Sequence, residues 1–173
     1  MSLANVSQHL HVLRAARLVD GERRGNMIVY RLADPSVTNL WLGLRGMAES
    51  RLAEVKQMAG EFLSGRDDGS QVSRDVAAAL VRQNAVLLDV RPHAEFEAGH
   101  LRGAINIPVD ELAGRLAELP RDRRIITYCR GKYCLFADEA ADLLNANQFD
   151  VVRLEGGWPE WQSEGRPIKG GVN

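Results

Sequence analysis

Three short apolar runs stand out in the second half of the chain, at residues 86–90, 125–128 and 151–154. Runs of this length without polar alternation are typical of strands buried on both faces of a parallel sheet. Apolar residues at helical spacing precede and separate these runs, near residues 73–83, 93–98, 110–116 and 134–145. Because strands that alternate with helices pair in parallel, the pattern predicts an α/β domain over residues 71–173, with a parallel sheet flanked by helices.

The first 33 residues follow a different pattern. Apolar residues recur at the spacing of one helical face from Leu3 to Leu13. Residues 18–20 and 27–32 then have the composition of two strands on either side of a basic turn at 21–26. We expect a helix and a β-hairpin in this segment, which together are too small to bury a core of their own.

A long apolar stripe follows the hairpin. Asp34 and Pro35 suit the N-cap and first turn of a helix, and apolar residues then recur every three or four positions from Val37 to Phe62. Residues 34–70 are therefore expected to form one long amphipathic helix and a flexible linker. Such a stripe packs either on the chain's own domain or on a second copy. Because the N-terminal core is small, we expect residues 35–64 to form a homodimer interface.

Composition agrees with a folded, soluble protein. The 173 residues are 45% hydrophobic and 26% charged, and the net charge of −1 provides no overall basic surface, so any nucleic-acid contact must come from a local patch. No apolar run is long enough to span a bilayer, and the first residues lack a signal-peptide pattern. Two cysteines cannot build a disulfide framework. These features indicate a cytoplasmic protein without membrane partners.

The residues with the clearest chemistry lie at 128–134, Tyr-Cys-Arg-Gly-Lys-Tyr-Cys. Cys129 stands where a strand ends and a helix is about to begin, so backbone N–H groups of the loop can converge on its sulfur. A thiol is nucleophilic as thiolate, which cations and helix N-termini stabilise. Arg130 and Lys132 supply positive charge, and Gly131 permits the curvature. We predict that Cys129 is a nucleophile, the alternatives being a structural cysteine or a disulfide with Cys134.

This loop resembles the active-site loop of rhodaneses, sulfurtransferases that carry sulfur as a cysteine persulfide. Two further segments fit the same family in the same order, Asp-Val-Arg-Pro with Gly-His-Leu within residues 86–108, and Gly-Gly-Trp-Pro-Glu-Trp within 156–168. The resemblance implies that Cys129 takes sulfur from thiosulfate or a low-molecular-weight persulfide and passes it to a thiol or cyanide-like acceptor. It implies no metal and no organic cofactor. It also implies that the loop binds substrate through Arg130, Gly131, Lys132, Tyr133 and Cys134.

Asp89 and Arg91 end the first apolar run, at the edge of the sheet where the Cys129 loop is expected. We interpret Asp89 as a support for the active-site loop rather than a proton donor, the alternative being a cap of the following turn. For Arg91, a structural ion pair is favoured over a contact with an anionic substrate.

Cys134 leaves two interpretations open. Its thiol could attack a persulfide on Cys129, release sulfide and leave an internal disulfide, or it could be a buried residue in the first turn of the next helix. A cysteine phosphatase is a rival interpretation of the whole loop. Phosphatase loops of this kind close with an arginine one position further on, where this chain has Leu135. The shorter loop better suits a sulfur atom than a phosphate.

Residues 2–9, Ser-Leu-Ala-Asn-Val-Ser-Gln-His, and the hairpin after them resemble the recognition helix and wing of ArsR-type winged-helix repressors, some of which carry a C-terminal rhodanese domain. Because the chain begins at the recognition helix, the resemblance implies a partial winged helix-turn-helix at residues 1–33, which binds DNA only if the module is complete. DNA contacts would come from Ser7, Gln8, His11, Arg23 and Arg24. The alternative function is a transcriptional regulator whose rhodanese domain senses sulfur or redox state. A catalytically idle interaction module is a third interpretation.

Overall fold

The computed structural model describes residues 2–64 and 70–170, which form two compact units that divide between Arg51 and Leu52. This division does not fall at either predicted domain boundary, 33/34 or 70/71. Most of the predicted flexible linker, residues 65–69, lies outside the described residues. Among the described helices, none combines the length and the apolar composition needed to cross a membrane.

The first unit consists of a helix, a hairpin and a second helix: α1 (Leu3–Ala15), β1 (Val19–Arg24), β2 (Met27–Leu32) and α2 (Pro35–Arg51). Two side chains cap the helices, since Ser2 Oγ accepts from the Asn5 N–H at 3.3 Å and Asp34 Oδ1 accepts from the Ser36 N–H at 2.7 Å. The first strand is longer than predicted and leaves only residues 25–26 as the turn. Polar residues can occupy it because most of its positions are exposed, so burial does not oppose their pairing with β2.

The second unit is built on a five-stranded sheet. Its elements are α3 (Ala53–Leu63), β3 (Gln71–Val72), α4 (Arg74–Arg82), β4 (Val86–Asp89), α5 (His93–Ala98), β5 (Gly99–Leu101), β6 (Ile105–Asn106), β7 (Ile125–Tyr128), α6 (Phe136–Ala146), β8 (Val151–Leu154), α7 (Trp158–Ser163) and β9 (Ile168–Gly170). The strand order is β3-β8-β7-β4-β6, and every pairing in the sheet is parallel. Strands β5 and β9 form a separate antiparallel pair. The α/β fold with a parallel sheet flanked by helices is thus confirmed.

The core lies on both faces of the two central strands, as the uninterrupted apolar runs predict. Every residue of β4 and β7 is buried. Successive residues point to opposite faces, so Ile125 joins the cluster that includes Leu144 of α6, whereas Ile126 joins the cluster that includes Ala77 of α4. Each face of the sheet is therefore covered by apolar side chains from flanking helices.

The structure corrects three predicted helices. The long helix over residues 35–64 is interrupted at Leu52, which has an extended backbone, and forms α2 and α3 instead. The spacing of apolar residues indicates which side of a helix is buried. The same spacing can continue across one non-helical residue, so it does not reveal such a break. Residues 110–116 form two short 3-10 helices, Leu112–Gly114 and Leu116–Glu118, since glycine disfavours a continuous α-helix. Helix α6 begins at Phe136 rather than at residue 134.

Candidate active site

Cys129 follows the last residue of β7 directly, at the carboxyl edge of the sheet. Asp89, the last residue of the neighbouring strand β4, pairs in register with Tyr128. The two predicted groups, the Cys129 loop and the Asp89–Arg91 segment, therefore lie at the same edge, where functional groups of parallel sheets gather. The Cys129 side chain is 1% exposed and belongs to one of the two core clusters.

A disulfide joins Cys129 to Cys134, with 6.3 Å between their Cα atoms. The Cys134 side chain is partly buried and packs against the same core cluster. Its backbone N–H donates to the Gly131 carbonyl oxygen at 3.0 Å, which closes the loop into a tight turn. Cys134 thus lies in the loop before α6 and not in the first turn of that helix, so this part of the sequence interpretation was wrong.

Two glycines allow other segments of the chain to approach the Cys129 loop closely. Gly131 has φ of +131°, a conformation that other residues rarely adopt, and an added Cβ there would lie 3.2 Å from the Glu160 carboxylate. An added Cβ at Gly157 would lie 2.3 Å from the Cys129 carbonyl oxygen, so no larger residue fits. The next residue, Trp158, donates its N–H to that same carbonyl at 3.0 Å. The backbone at 156–158 therefore holds the loop at Cys129.

Arg130 is paired with Glu95 of α5, a partner that the sequence analysis did not identify. Its Nε and Nη2 donate to the Glu95 carboxylate at 2.6–3.0 Å, and its guanidinium lies 5.0 Å from the Phe136 ring centroid. The positive charge of Arg130, which was predicted to stabilise a Cys129 thiolate, is therefore largely balanced by Glu95. Glu95 belongs to the first resembling segment, but a partner 35 positions away cannot be read from sequence spacing.

Lys132 and Tyr133 form the outer part of the loop. The Lys132 Nζ lies 5.6 Å from the Tyr133 ring centroid. The Tyr133 ring lies 6.0 Å, centroid to centroid, from the ring of Phe62 near the end of α3. The loop beside Cys134 is thus in contact with the helix that follows α2 in the chain.

Asp89 and Arg91 form a buried ion pair beneath the loop. Both Asp89 carboxylate oxygens accept from the Arg91 guanidinium at 2.6–3.1 Å, and Asp89 Oδ1 also accepts from the Arg91 backbone N–H at 3.0 Å. A further Arg91 N–H donates to the Gly99 carbonyl at 2.8 Å, and the guanidinium lies 5.2 Å from the Trp158 ring centroid. The pair thus connects β4, β5 and the segment that holds the Cys129 carbonyl.

The charges of this pair shift two pKa values. Burial opposes the charge of Arg91, but the hydrogen bonds and negative charge of Asp89 outweigh this effect and raise the pKa of the guanidinium. Burial, followed by the charge of Asp89, raises the pKa of Tyr128, whose hydroxyl oxygen accepts from the Leu101 N–H at 3.2 Å. Tyr128 therefore remains protonated and structural. Both oxygens of the Asp89 carboxylate accept hydrogen bonds from Arg91. This arrangement suits support of the loop rather than proton transfer.

The residues predicted to contact DNA all belong to the first unit. Ser7, Gln8 and His11 are exposed on α1, and Arg23 and Arg24 are exposed at the end of β1. Arg24 forms a surface ion pair with Glu22 at 3.1 Å, and Arg23 donates to the Gly25 carbonyl at 3.3 Å. A helix and an adjacent basic hairpin are therefore present in this unit.

Two curated proteins are similar to this chain, one along nearly its whole length and one along about half of it. The HTH-type transcriptional regulator Rv0324 of Mycobacterium tuberculosis is 40% identical over 175 residues, an alignment that covers 99% of this chain and 76% of that protein. The tRNA uridine(34) hydroxylase of Salmonella typhimurium is 33% identical over 106 residues, which are 55% of this chain but only 30% of the hydroxylase.

Solved structures and a family model identify the second unit. A thiosulfate sulfurtransferase from Pseudomonas aeruginosa has a TM-score of 0.56 and 27% sequence identity, over 67% of this chain and 23% of that one. The family model of the Rhodanese-like domain matches residues 73–164, more than half of the 173 residues. With a cysteine loop at the end of the central strand, this chain belongs to the rhodanese-like domain family, its domain preceded by a segment similar to part of an HTH-type transcriptional regulator.

Proposed function

We propose that the chain is a sulfurtransferase that carries sulfane sulfur as a persulfide on Cys129. The observation that supports this most directly is the placement of a buried cysteine at the carboxyl end of a central parallel strand, inside a loop held by Trp158 and Gly157. A cysteine in the core has no structural need for such a loop. A nucleophile benefits from it, because the backbone N–H groups of such a loop can stabilise an anionic sulfur.

The loop must offset the cost of a buried thiolate. Burial in apolar surroundings disfavours the charged sulfur, whereas amides and cations favour it. Since Glu95 balances Arg130, the backbone amides of the loop carry most of this compensation. The Cys134 amide donates to Gly131 in the disulfide form. It becomes available to an anionic sulfur only if that turn opens.

The proposed cycle starts from the reduced loop, since neither sulfur is a thiolate while the disulfide is intact. The Cys129 thiolate attacks the outer sulfur of thiosulfate, whose sulfur–sulfur bond breaks and releases sulfite. A low-molecular-weight persulfide would react in the same way and release its thiol. A nucleophilic acceptor then attacks the outer sulfur of the Cys129 persulfide, takes that atom and restores the thiolate.

A second candidate function is a transcriptional regulator in which the rhodanese domain senses sulfur. It is favoured by the 40% identity to a transcriptional regulator along 99% of the chain. The contact between Phe62 and Tyr133 also favours it, because it joins the Cys129 loop to the helix that follows α2. In this candidate, Ser7, Gln8 and His11 face the bases and Arg23 and Arg24 contact phosphates.

Either function is compatible with a homodimer formed through α2, which we include in the proposal. This helix leaves Leu40, Trp41, Leu44 and Met47 between 52% and 65% exposed. Four large apolar side chains on one helix form a surface of the kind that associates with a partner. A second copy would bury the stripe through the same residues on both chains.

We expect the reduced wild-type chain to gain one sulfur atom in its intact mass when its reaction with thiosulfate is quenched early, before Cys134 can act on the persulfide. Cys129→Ser should gain none, because it lacks the attacking sulfur, and Cys134→Ser should still gain it. Cyanide should remove the added atom. If neither thiosulfate nor a low-molecular-weight persulfide loads the wild type or Cys134→Ser, the sulfurtransferase proposal fails and an interaction module becomes the better account.

Asp89→Asn should reduce the free energy of unfolding by about 3 kcal/mol or more, because it leaves the Arg91 charge buried without its partner. Asp150→Asn is the matched control, since Asp150 pairs with Arg124 at the exposed surface, and it should cost about 0–1 kcal/mol. Urea unfolding measures both. The folded Asp89→Asn protein should still take up sulfur. A stable variant that cannot be loaded would instead indicate that Asp89 takes part in the chemistry.

Binding to DNA, expected where the winged-helix module is complete, should depend on the hairpin. In a selection from random-sequence duplexes followed by titration, replacing both Arg23 and Arg24 by Ala should weaken binding and reduce the salt dependence by about two phosphate contacts. Arg51→Ala, which removes a basic residue at the end of α2, is the control and should change neither quantity. Equal salt dependence in all three proteins would show that Arg23 and Arg24 do not contact DNA phosphates.

Trp41→Glu should convert the dimer to a monomer, because a charge in the α2 stripe would be desolvated in the interface. Sedimentation velocity at several concentrations measures the assembly state, with Asn39→Glu, at an exposed position of the same helix outside the stripe, as a control for added charge. A wild-type chain that sediments as a monomer at all concentrations would contradict the proposed interface.

A further inference from the structure

The loop holds a second sulfur within bonding reach of the proposed nucleophile. Cys134 is disulfide-bonded to Cys129, and the Cys134 N–H also donates to the Gly131 carbonyl at 3.0 Å. This backbone hydrogen bond holds Cys134 in a tight turn close to the Cys129 end of the loop. Because α6 begins only at Phe136, Cys134 remains in the loop, beside the Cys129 sulfur. Such fixed proximity makes attack of one sulfur on the other effectively intramolecular.

We propose that this cysteine pair gives the domain a second activity, the reduction of bound sulfane sulfur to sulfide. The proposal rests on the proposed function, because its substrate is the Cys129 persulfide. The Cys134 thiolate attacks the Sγ atom of Cys129, the bond between that atom and the outer sulfur breaks, and the outer sulfur leaves as hydrosulfide. The sulfane sulfur gains two electrons, and the two cysteines lose them as they form the disulfide seen in the structure.

The loop is regenerated by a dithiol, and the difference in burial decides where that dithiol attacks. Cys129 is 1% exposed, whereas Cys134 is partly exposed and lies between Tyr133 and Leu135, which are 36% and 44% exposed. Exchange depends on access to the sulfur that is attacked. An external dithiol protein therefore attacks Cys134, and Cys129 leaves as the thiolate that the next cycle needs. The second thiol of the dithiol then displaces Cys134, so the reductant ends as a disulfide.

Sulfide release and sulfur transfer start from the same persulfide and differ in the atom attacked. An external acceptor attacks the outer sulfur and carries it away, leaving Cys129 as a thiolate. Cys134 attacks the inner sulfur and leaves the disulfide. A good external acceptor at high concentration therefore diverts the sulfur from sulfide to transfer, and its absence favours sulfide.

A single-turnover experiment without reductant tests the proposal. The chain is reduced, freed of reductant by gel filtration and mixed with one equivalent of thiosulfate; sulfide is then measured by colorimetry and the protein by intact mass. The wild type should release one sulfide per chain and become lighter by two hydrogen atoms than the reduced chain. Cys134→Ser should keep the added sulfur and release roughly tenfold less sulfide, or lower still, in the same time. Cys134→Ala repeats the test without a hydroxyl against the core.

Each other outcome decides against a specific claim. A wild type that keeps its added sulfur as long as Cys134→Ser and releases no more sulfide would overturn the reductive activity while leaving sulfur transfer intact. If the wild type and both Cys134 variants take up no sulfur, even from a low-molecular-weight persulfide, the proposed function fails and the reductive activity fails with it. Sulfide released equally by all three proteins would show that Cys134 is not the attacking group.

Discussion

The site depends on the close approach of the 156–158 backbone to the Cys129 loop. Gly157 lies so near the Cys129 carbonyl oxygen that a Cβ has no room, and Trp158 donates to that oxygen. A cysteine at the end of a strand would otherwise lie in a loop free to adopt many conformations, at an entropic cost on every return to the reactive one. The contact removes this conformational freedom at Cys129, the residue whose position the proposed chemistry requires to be fixed.

Charge around the loop is arranged in two layers with different energetics. The inner Asp89–Arg91 pair is buried and accepts or donates several hydrogen bonds, so breaking it strands a charge in the interior. The outer Arg130–Glu95 pair is about 40% exposed and contributes little to stability. Its hydrogen bonds also direct the Arg130 guanidinium to Glu95 of α5. The inner pair therefore connects β4 and β5 to the 156–158 segment, and the outer pair connects the loop to α5.

Sequence predicted the fold well because the apolar runs report burial directly. All three runs became parallel strands, and the cysteine at the end of one reached the carboxyl edge of the sheet. The sequence-based prediction failed at Leu52 and over residues 110–116, because the spacing of apolar residues does not show whether a helix is continuous. The Arg130–Glu95 pair and the Gly157 contact join residues far apart in sequence, and no local pattern specifies them. The Cys129–Cys134 bond was one of several alternatives, because spacing alone does not fix the direction of two sulfurs.

The central claim is that Cys129, and not Cys134, receives the sulfur. The direct measurement is to react the reduced chain briefly with thiosulfate isotopically labelled in its outer sulfur, trap persulfides by alkylation and digest with trypsin. Cleavage after Arg130 and Lys132 separates the two cysteines, with Cys129 in the peptide 125–130 and Cys134 in the peptide 133–153. The account predicts the label as a trapped persulfide on the 125–130 peptide. Label on the 133–153 peptide, or on neither, would contradict it.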